Sequence, residues 1–237
     1  MKTKQGIIKL VAFDLDDTLY PEISFVQSGF RAVAQEIEKR HACPNNFYNL
    51  LWSIFSDGER TKTFDKALEK AGLPATVEAV KEMVAVYRAH MPEITLYPDA
   101  QEILGRLRRR VKTGLITDGY LETQRNKVKA LQLETCFDMI IYTDEAGRDS
   151  WKPSPWGYQT MMDYFSLSGK DCAYVGDNSS KDFIGAKLLS WETFKIKRDE
   201  GIYREIHGAE GCDATYIVES LTELTNYIGN RIDTSYK

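Results

Sequence analysis

The sequence predicts an α/β fold: a parallel sheet covered by helices on both faces and interrupted once by a long helical insertion. Three observations predict it. Short apolar, partly β-branched runs alternate with amphipathic helical patterns, each run stops near Asp, Gly or Thr, and the stretch from Glu22 to about Met91 carries helical patterns alone.

In chain order, the predicted strands are IIKLVAF (7–13), VKTGLIT (111–117), MIIYT (139–143) and CAYVG (172–176), followed by the weaker TFKI and TYIV. Between and after them come the helical patterns DAQEILGRLRRR, LETQRNKVKALQL, SPWGYQTMMDYF, KDFIGAKLL and SLTELTNYIGN. The first and last open on Asp99 and Ser220, residues suited to an N-cap. The insertion reads as four helical stretches, SFVQSGFRAVAQEIEKR, FYNLLWSIF, RTKTFDKALEKAG and VEAVKEMVAVYRAH, separated by CPNN, SDG and GLP. Pro21 bounds it on one side and Pro92 to Pro98 on the other. The expected domains are therefore 1–20 with 93–237, and 21–92. An insertion anchored there is expected to hang over the strand ends, where open parallel sheets bind ligands.

Composition narrows the function classes. With 237 residues, 43% hydrophobic, the chain is long enough for a substantial core. Its 31 basic against 35 acidic residues give a net charge of −4, which offers no general attraction to nucleic acid or anionic membrane. Asp14 interrupts the N-terminal apolar run too early for a secretory signal, and no later stretch is long enough to span a bilayer, so a soluble, cytoplasmic protein is expected. Cys43, Cys136, Cys172 and Cys212 form no C-x-x-C pair, and His41, His90 and His207 form no cluster; reduced thiols without a metal role are expected. Oligomeric state stays open.

Four features share one predicted location, the carboxyl ends of strands. In VAFDLDDTLYP, Asp14, Asp16 and Asp17 crowd three carboxylates into four positions. A solvated turn or a helix cap would account for a lone D-x-D; a divalent cation, or the need for an exposed nucleophile, also makes such crowding tolerable. Thr117-Asp118-Gly119 closes the second strand, where a hydroxyl and the free N–H groups of the turn suit a phosphate oxygen. Lys152 lies in DSWKPSPW, where Pro153 and Pro155 stiffen the backbone so that an ammonium can be held at a fixed place. VGDNSSKD brings Asp177 and Asp182 to a strand-to-helix junction, an oxygen pair suited to a hard cation.

As a set, h-h-h-h-D-x-D-x-T at 10–18, h-h-h-T at 114–117, K-P at 152–153 and G-D-x-x-x-x-D at 176–182 resemble the haloacid dehalogenase superfamily. The resemblance implies a Rossmann-like, doubly wound core with a mobile helical cap, and an enzyme that forms an aspartyl-phosphate. It implies catalytic roles for Asp14 as nucleophile, Asp16 as acid and base, and Thr117 and Lys152 as stabilisers of charge in flight. Phosphate binding falls to Thr117, Asp118 and Lys152. Mg²⁺ is implied as cofactor, with Asp14, the backbone carbonyl of Asp16 and Asp177 as ligands and Asp182 in the outer shell. Thr18 is expected to orient Asp16, and Asp17 to be structural.

Retention of Asp16, Asp177 and Asp182 argues against dehalogenase and phosphonatase branches; phosphomutases share every motif. TDGYLETQRNK resembles the T-N-G followed by Gln, Arg and Lys of N-acylneuraminate-9-phosphatase-like sugar-phosphate and nucleotide phosphatases, with matches at Thr117, Gly119, Gln124, Arg125 and Lys127 and a departure at Asp118. A solvated helix face accounts equally for Gln124 to Lys127. A small phosphorylated metabolite, such as a sugar phosphate or nucleoside monophosphate, is the expected partner. A receiver-like signalling domain also carries a phospho-accepting Asp, a Thr and a Lys, but its phospho-accepting Asp ends the third strand and it has no such insertion.

Overall fold

The structure is a computed structural model that describes residues 6–41, 46–199, 201, 208 and 211–232; Cys43 and His207 lie outside the described residues. The chain divides into two compact units, Met1–Ile23 with Thr95–Lys237, and Ser24–Ile94.

The first unit is built on six parallel strands, β1 (Leu10–Phe13), β2 (Lys112–Thr117), β3 (Met139–Tyr142), β4 (Cys172–Gly176), β5 (Glu192–Ile196) and β6 (Tyr216–Val218). Their order in the sheet is β3-β2-β1-β4-β5-β6. This is the α/β parallel sheet that the alternation of elements predicts. The chain builds outward from β1 to β3, then returns to the opposite side of β1 to place β4 there. The strand order thus reverses between β1 and β4, and a crevice opens at such a switch point beyond the carboxyl ends. Phe13 pairs with Leu115 on one side and Val175 on the other, so the residues that follow these strands emerge side by side.

Burial explains why the central strands read as unbroken apolar runs. Every residue of β1 and β4 is buried, as expected for parallel strands covered on both faces. On one face, Leu10, Ala12, Cys172 and Tyr174 pack against Tyr158 and Met161 of α7 (Trp156–Phe165) and Ala186 of α8 (Ile184–Leu188). Each fully buried large apolar side chain contributes roughly 1.5–3 kcal/mol. The helices α5 (Pro98–Leu107), α6 (Leu121–Ala130) and α9 (Leu221–Ile228) complete the unit.

Two local expectations change. The first strand is shorter than its apolar run: Ile7 is half exposed and Ile8 makes only an isolated bridge to Ile232, because the sheet partners begin at Leu10. Asp99 is not the N-cap of α5. Pro98 occupies the first helical position after Tyr97, and the Asp99 carboxylate instead takes Arg198 Nη1 at 2.8 Å and the amide of Leu221 at 2.8 Å. Ser220 does cap α9, its hydroxyl accepting from the amide of Glu223.

The second unit holds most of α1 (Glu22–His41) and all of α2 (Phe47–Ser56), α3 (Thr63–Lys70) and α4 (Val77–Ala89), with no strand among its described residues. Phe30 anchors it, edge-on to Phe55 at 5.6 Å and to Phe64 at 6.1 Å, and 5.9 Å from Tyr87. Thr76 caps α4 through the amide of Ala79.

Candidate active site

The residues singled out in sequence gather into two clusters in the sheet unit. The first straddles the switch point. Asp14 follows β1 and is 3% exposed, its amide bonded to the carbonyl of Val175 on β4. Lys152, whose peptide bond to Pro153 is cis, extends its ammonium from the β3–α7 connection into the interior. There Lys152 Nζ donates to Asp14 Oδ1, to Asp182 Oδ1 at 2.8 Å and to the Tyr174 hydroxyl at 3.0 Å. Asp182 is fully buried. Its Oδ2 accepts from the Asn178 amide at 2.8 Å, and its backbone carbonyl accepts from the Tyr158 hydroxyl at 2.6 Å.

Two glycines permit this packing. A Cβ on Gly176 would stand 2.6 Å from Asp182 Oδ2, and one on Gly185 would stand 2.8 Å from the carbonyl oxygen of Pro153. Both positions therefore need a residue without a side chain for the loops bearing Lys152 and Asp182 to close together.

Asp14, Asp177 and Asp182 each offer an oxygen within 4.8 Å of the others. Burial pushes the Asp14 carboxyl up to about 7, against the pull of Lys152, and Asp182 adds repulsion. Burial, with repulsion from Asp182 and Asp14, also lifts Asp177 well above the usual carboxylate range. Asp177 Oδ2 is buried without a hydrogen-bond partner. An orphaned carboxylate oxygen, beside two more carboxylates and nothing softer, fits a hard divalent cation. Lys152 and the Asn178 amide already engage both Asp182 oxygens, whereas Asp177 retains a free one.

The second cluster centres on Asp16, which points to other partners than the three-carboxylate group. Tyr20 and Lys127 donate to its Oδ1, the latter at 2.6 Å, and Gln124 Nε2 donates to its Oδ2 at 3.0 Å. Gln124 Nε2 also reaches Thr117 Oγ1 at 2.5 Å and so ties Asp16 to the end of β2. Burial raises the Asp16 carboxyl, but the Lys127 charge and the hydrogen bonds from Lys127, Tyr20 and Gln124 outweigh it and leave the group below its ordinary value. Gln124 and Lys127 are 2% and 4% exposed, so these two belong to a buried site rather than a solvated helix face. Arg125, between them, does face outward and pairs with Glu145 at 2.7 Å.

Thr18 departs from its expected part. Its hydroxyl oxygen is buried without a partner, and Asp16 is held by Tyr20, Gln124 and Lys127 instead. Asp17 takes a left-handed φ of 49° and its carboxylate accepts from the amide of Glu22 at 2.8 Å, capping the start of α1. Asp118 turns its carboxylate inward to accept from Thr143 Oγ1 at 2.8 Å and the Lys152 amide at 3.1 Å. Sequence reading missed Tyr20, Tyr174 and Lys181. Tyr20 stands four residues from Asp16 in no recurring pattern, Tyr174 lies within an apolar strand, and Lys181 looks like any lysine in a turn.

The chain belongs to the haloacid dehalogenase-like hydrolases, whose family profile matches residues 8–189. It is accordingly an enzyme of the hydrolase class. A glyceraldehyde 3-phosphate phosphatase of Pyrococcus furiosus is 29% identical over 224 residues, spanning 92% of this chain and 91% of its own. An N-acylneuraminate-9-phosphatase of Homo sapiens is 24% identical over 194 residues, spanning 75% of this chain and 77% of its own. Among solved structures, a putative HAD-hydrolase from Bacillus subtilis bound to magnesium superimposes with a TM-score of 0.68 at 18% identity, covering 94% of this chain and 99% of that one. The likeness is one of fold. No helix among the described residues is long and apolar enough to cross a membrane.

Proposed function

We propose that this protein is a cytoplasmic phosphatase that hydrolyses the phosphomonoester of a small metabolite, such as a sugar phosphate or nucleoside monophosphate, through an aspartyl-phosphate on Asp14. One observation carries the reading: a buried carboxylate at the switch point, Asp14, is met by a buried ammonium that also engages Asp182. The resemblance to relatives named as phosphatases of small phosphorylated compounds supports it.

In this reading Asp14 attacks phosphorus, the ester P–O bond breaks, and Asp16 protonates the leaving oxygen. Asp16 then takes a proton from water, the water oxygen attacks phosphorus, and the bond to Asp14 breaks to release inorganic phosphate. Lys152 and Thr117 bind the equatorial oxygens as charge shifts across them, and the Thr117-Asp118-Gly119 turn contributes backbone N–H groups. The lone pair of Asp177 Oδ2, the Asp14 carboxylate and the backbone carbonyl of Asp16 would hold Mg²⁺, with Asp182 behind them, and the ion would screen the nucleophile from an anionic substrate. Gln124 keeps Asp16 and Thr117 in one hydrogen-bonded frame. The helical unit inserted between β1 and β2 acts as the cap that selects the substrate.

The test is release of inorganic phosphate from a panel of phosphorylated metabolites and an aryl phosphate, with and without Mg²⁺. Mg²⁺-dependent release that disappears in Asp14→Asn is expected. Conversion to an isomeric phosphoester without free phosphate would overturn the phosphatase reading in favour of a phosphomutase, and hydrolysis by Asp14→Asn would remove the covalent step.

A further inference from the structure

Lys181 takes no part in the proposed bond-breaking steps, yet its surroundings are not those of an ordinary surface lysine. It lies in the turn between β4 and α8, next in sequence to the buried Asp182. Its Nζ is 3.4 Å from Asp118 Oδ2, and its side chain is 32% exposed while that of Asp118 is 5% exposed. A solvent-reachable ammonium is thus tethered to a buried carboxylate. The same carboxylate accepts from the Lys152 amide at 3.1 Å and stands 3.8 Å from Lys152 Nζ. Asp118 is therefore wedged between two lysines, one sealed in the interior and one open to water.

Charge and access separate these lysines. The Lys152 side chain is 0% exposed and that of Lys127 5%, so neither meets an anion before the site is entered. Lys181 is reachable, and its ammonium is repelled by Lys152 and attracted by Asp14, Asp182 and Asp118. A negative charge at position 118 beside a phosphate-binding turn works against anion binding unless a cation offsets it, and Lys181 supplies that cation at the same place.

We propose that Lys181 is a second phosphate-binding lysine of this site and that Asp118 is the positioning residue that holds it at the entrance. The proposal rests on the phosphatase reading for its substrate, and concerns capture of the phosphate group rather than bond breaking. An incoming phosphate takes over the Lys181 ammonium from Asp118, and the charge of Asp118 is then balanced by Lys152.

The test combines Lys181→Gln, Lys181→Arg, Asp118→Asn and the double variant Asp118→Asn with Lys181→Gln. Binding of inorganic phosphate is measured by calorimetry in Mg²⁺ buffer, and KM and kcat are measured on an aryl phosphate. Lys181→Gln is expected to weaken phosphate binding and raise KM about tenfold, with a far smaller change in kcat, and Lys181→Arg to restore most of the loss. In the Asp118→Asn background the same lysine replacement should cost distinctly less, since an untethered lysine is no longer held in place. Unchanged phosphate affinity and KM in Lys181→Gln would overturn the binding role, and an equal cost in both backgrounds would overturn the positioning role of Asp118. If the native protein binds inorganic phosphate in a Lys181-dependent manner but hydrolyses no phosphomonoester, the phosphatase reading fails and this inference stands.

Discussion

Lys152 Nζ lies 2.8 Å from Asp182 Oδ1, and both side chains are closed to solvent. The two residues are 30 positions apart and belong to different strand-to-helix loops, yet Asp182 fixes the ammonium that also contacts Asp14. A buried ion pair of this kind is weak as a source of stability while intact and costly when half of it is removed.

Replacement of Lys152 by Met should therefore act on folding as well as on turnover. In metal-free buffer it leaves Asp14 and Asp182 buried without their cation, and a loss of roughly 3–5 kcal/mol in urea unfolding is expected. Phosphate release should fall by at least about a hundredfold, the scale of losing one preorganised charge stabiliser. Unchanged unfolding would show that protonation already neutralises these carboxylates.

The buried Asp14 makes stability depend on pH with a definite sign. Its carboxyl is at about 7 in the folded protein against 3.8 unfolded. Between those values the folded state binds more protons, so in EDTA stability should fall as pH rises from about 4 to about 7. Asp14→Asn removes this contribution, and the slope of unfolding free energy against pH should become less negative by up to about 1.4 kcal/mol per pH unit. Equal slopes in the two proteins would contradict the burial of a titrating carboxyl at this position.

The Lys127 ammonium offsets the burial of Asp16, so Lys127→Met should let burial prevail and raise the Asp16 carboxyl. The acid limb of kcat against pH should move to higher pH, because the ionised form needed to activate water is lost sooner on acidification. A profile displaced only in height would assign Lys127 a packing role alone.

Cys172 is fully buried in β4, and burial pushes its thiol up to about 12. Alkylation by iodoacetamide at neutral pH should leave Cys172 unmodified in the folded protein and label it readily in urea, as peptide mapping would report. Native labelling at rates seen in urea would place that strand at the surface.

The ends of the helical insertion are joined within the sheet unit, where the Tyr97 amide donates to the carbonyl of Leu19 at 2.9 Å. Replacing residues 24–94 by a short flexible linker should thus give a folded sheet unit with every motif residue present. Weak aryl phosphate hydrolysis is expected to survive while the ranking among metabolites is lost. A truncated protein with the parent's ranking would show that the insertion does not set specificity.

Asp99 and Thr18 show where the sequence was misleading, and both involve Arg198. A helix-initiating Asp has a local use as a cap, but here Arg198 Nη1 donates to both carboxylate oxygens of Asp99, a contact made across 99 positions. Arg198 also donates to the Thr18 carbonyl at 2.7 Å, which holds that loop by its backbone, while the Thr18 hydroxyl is buried without a partner. Gln124 and Lys127 were legible through the resemblance of TDGYLETQRNK to a phosphatase pattern and as a pair three residues apart on one helical face. Nothing local distinguishes such a face turned to water from one turned to Asp16.

By itself the sequence determined what depends on near neighbours. Strand and helix periodicity, the interruption after β1 and the placing of four polar motifs at strand ends all follow from side chains within a few residues of one another. Only the tertiary structure decided which of those ends meet. The order β3-β2-β1-β4 sets Asp14 beside Asp177, and Lys152 reaches Asp14 across 138 positions of chain. It also decided the charge state of the site, since burial raises Asp14 and Asp177 while Lys127 lowers Asp16. Coulomb energies depend on distance and local dielectric, and neither is fixed by position in the chain.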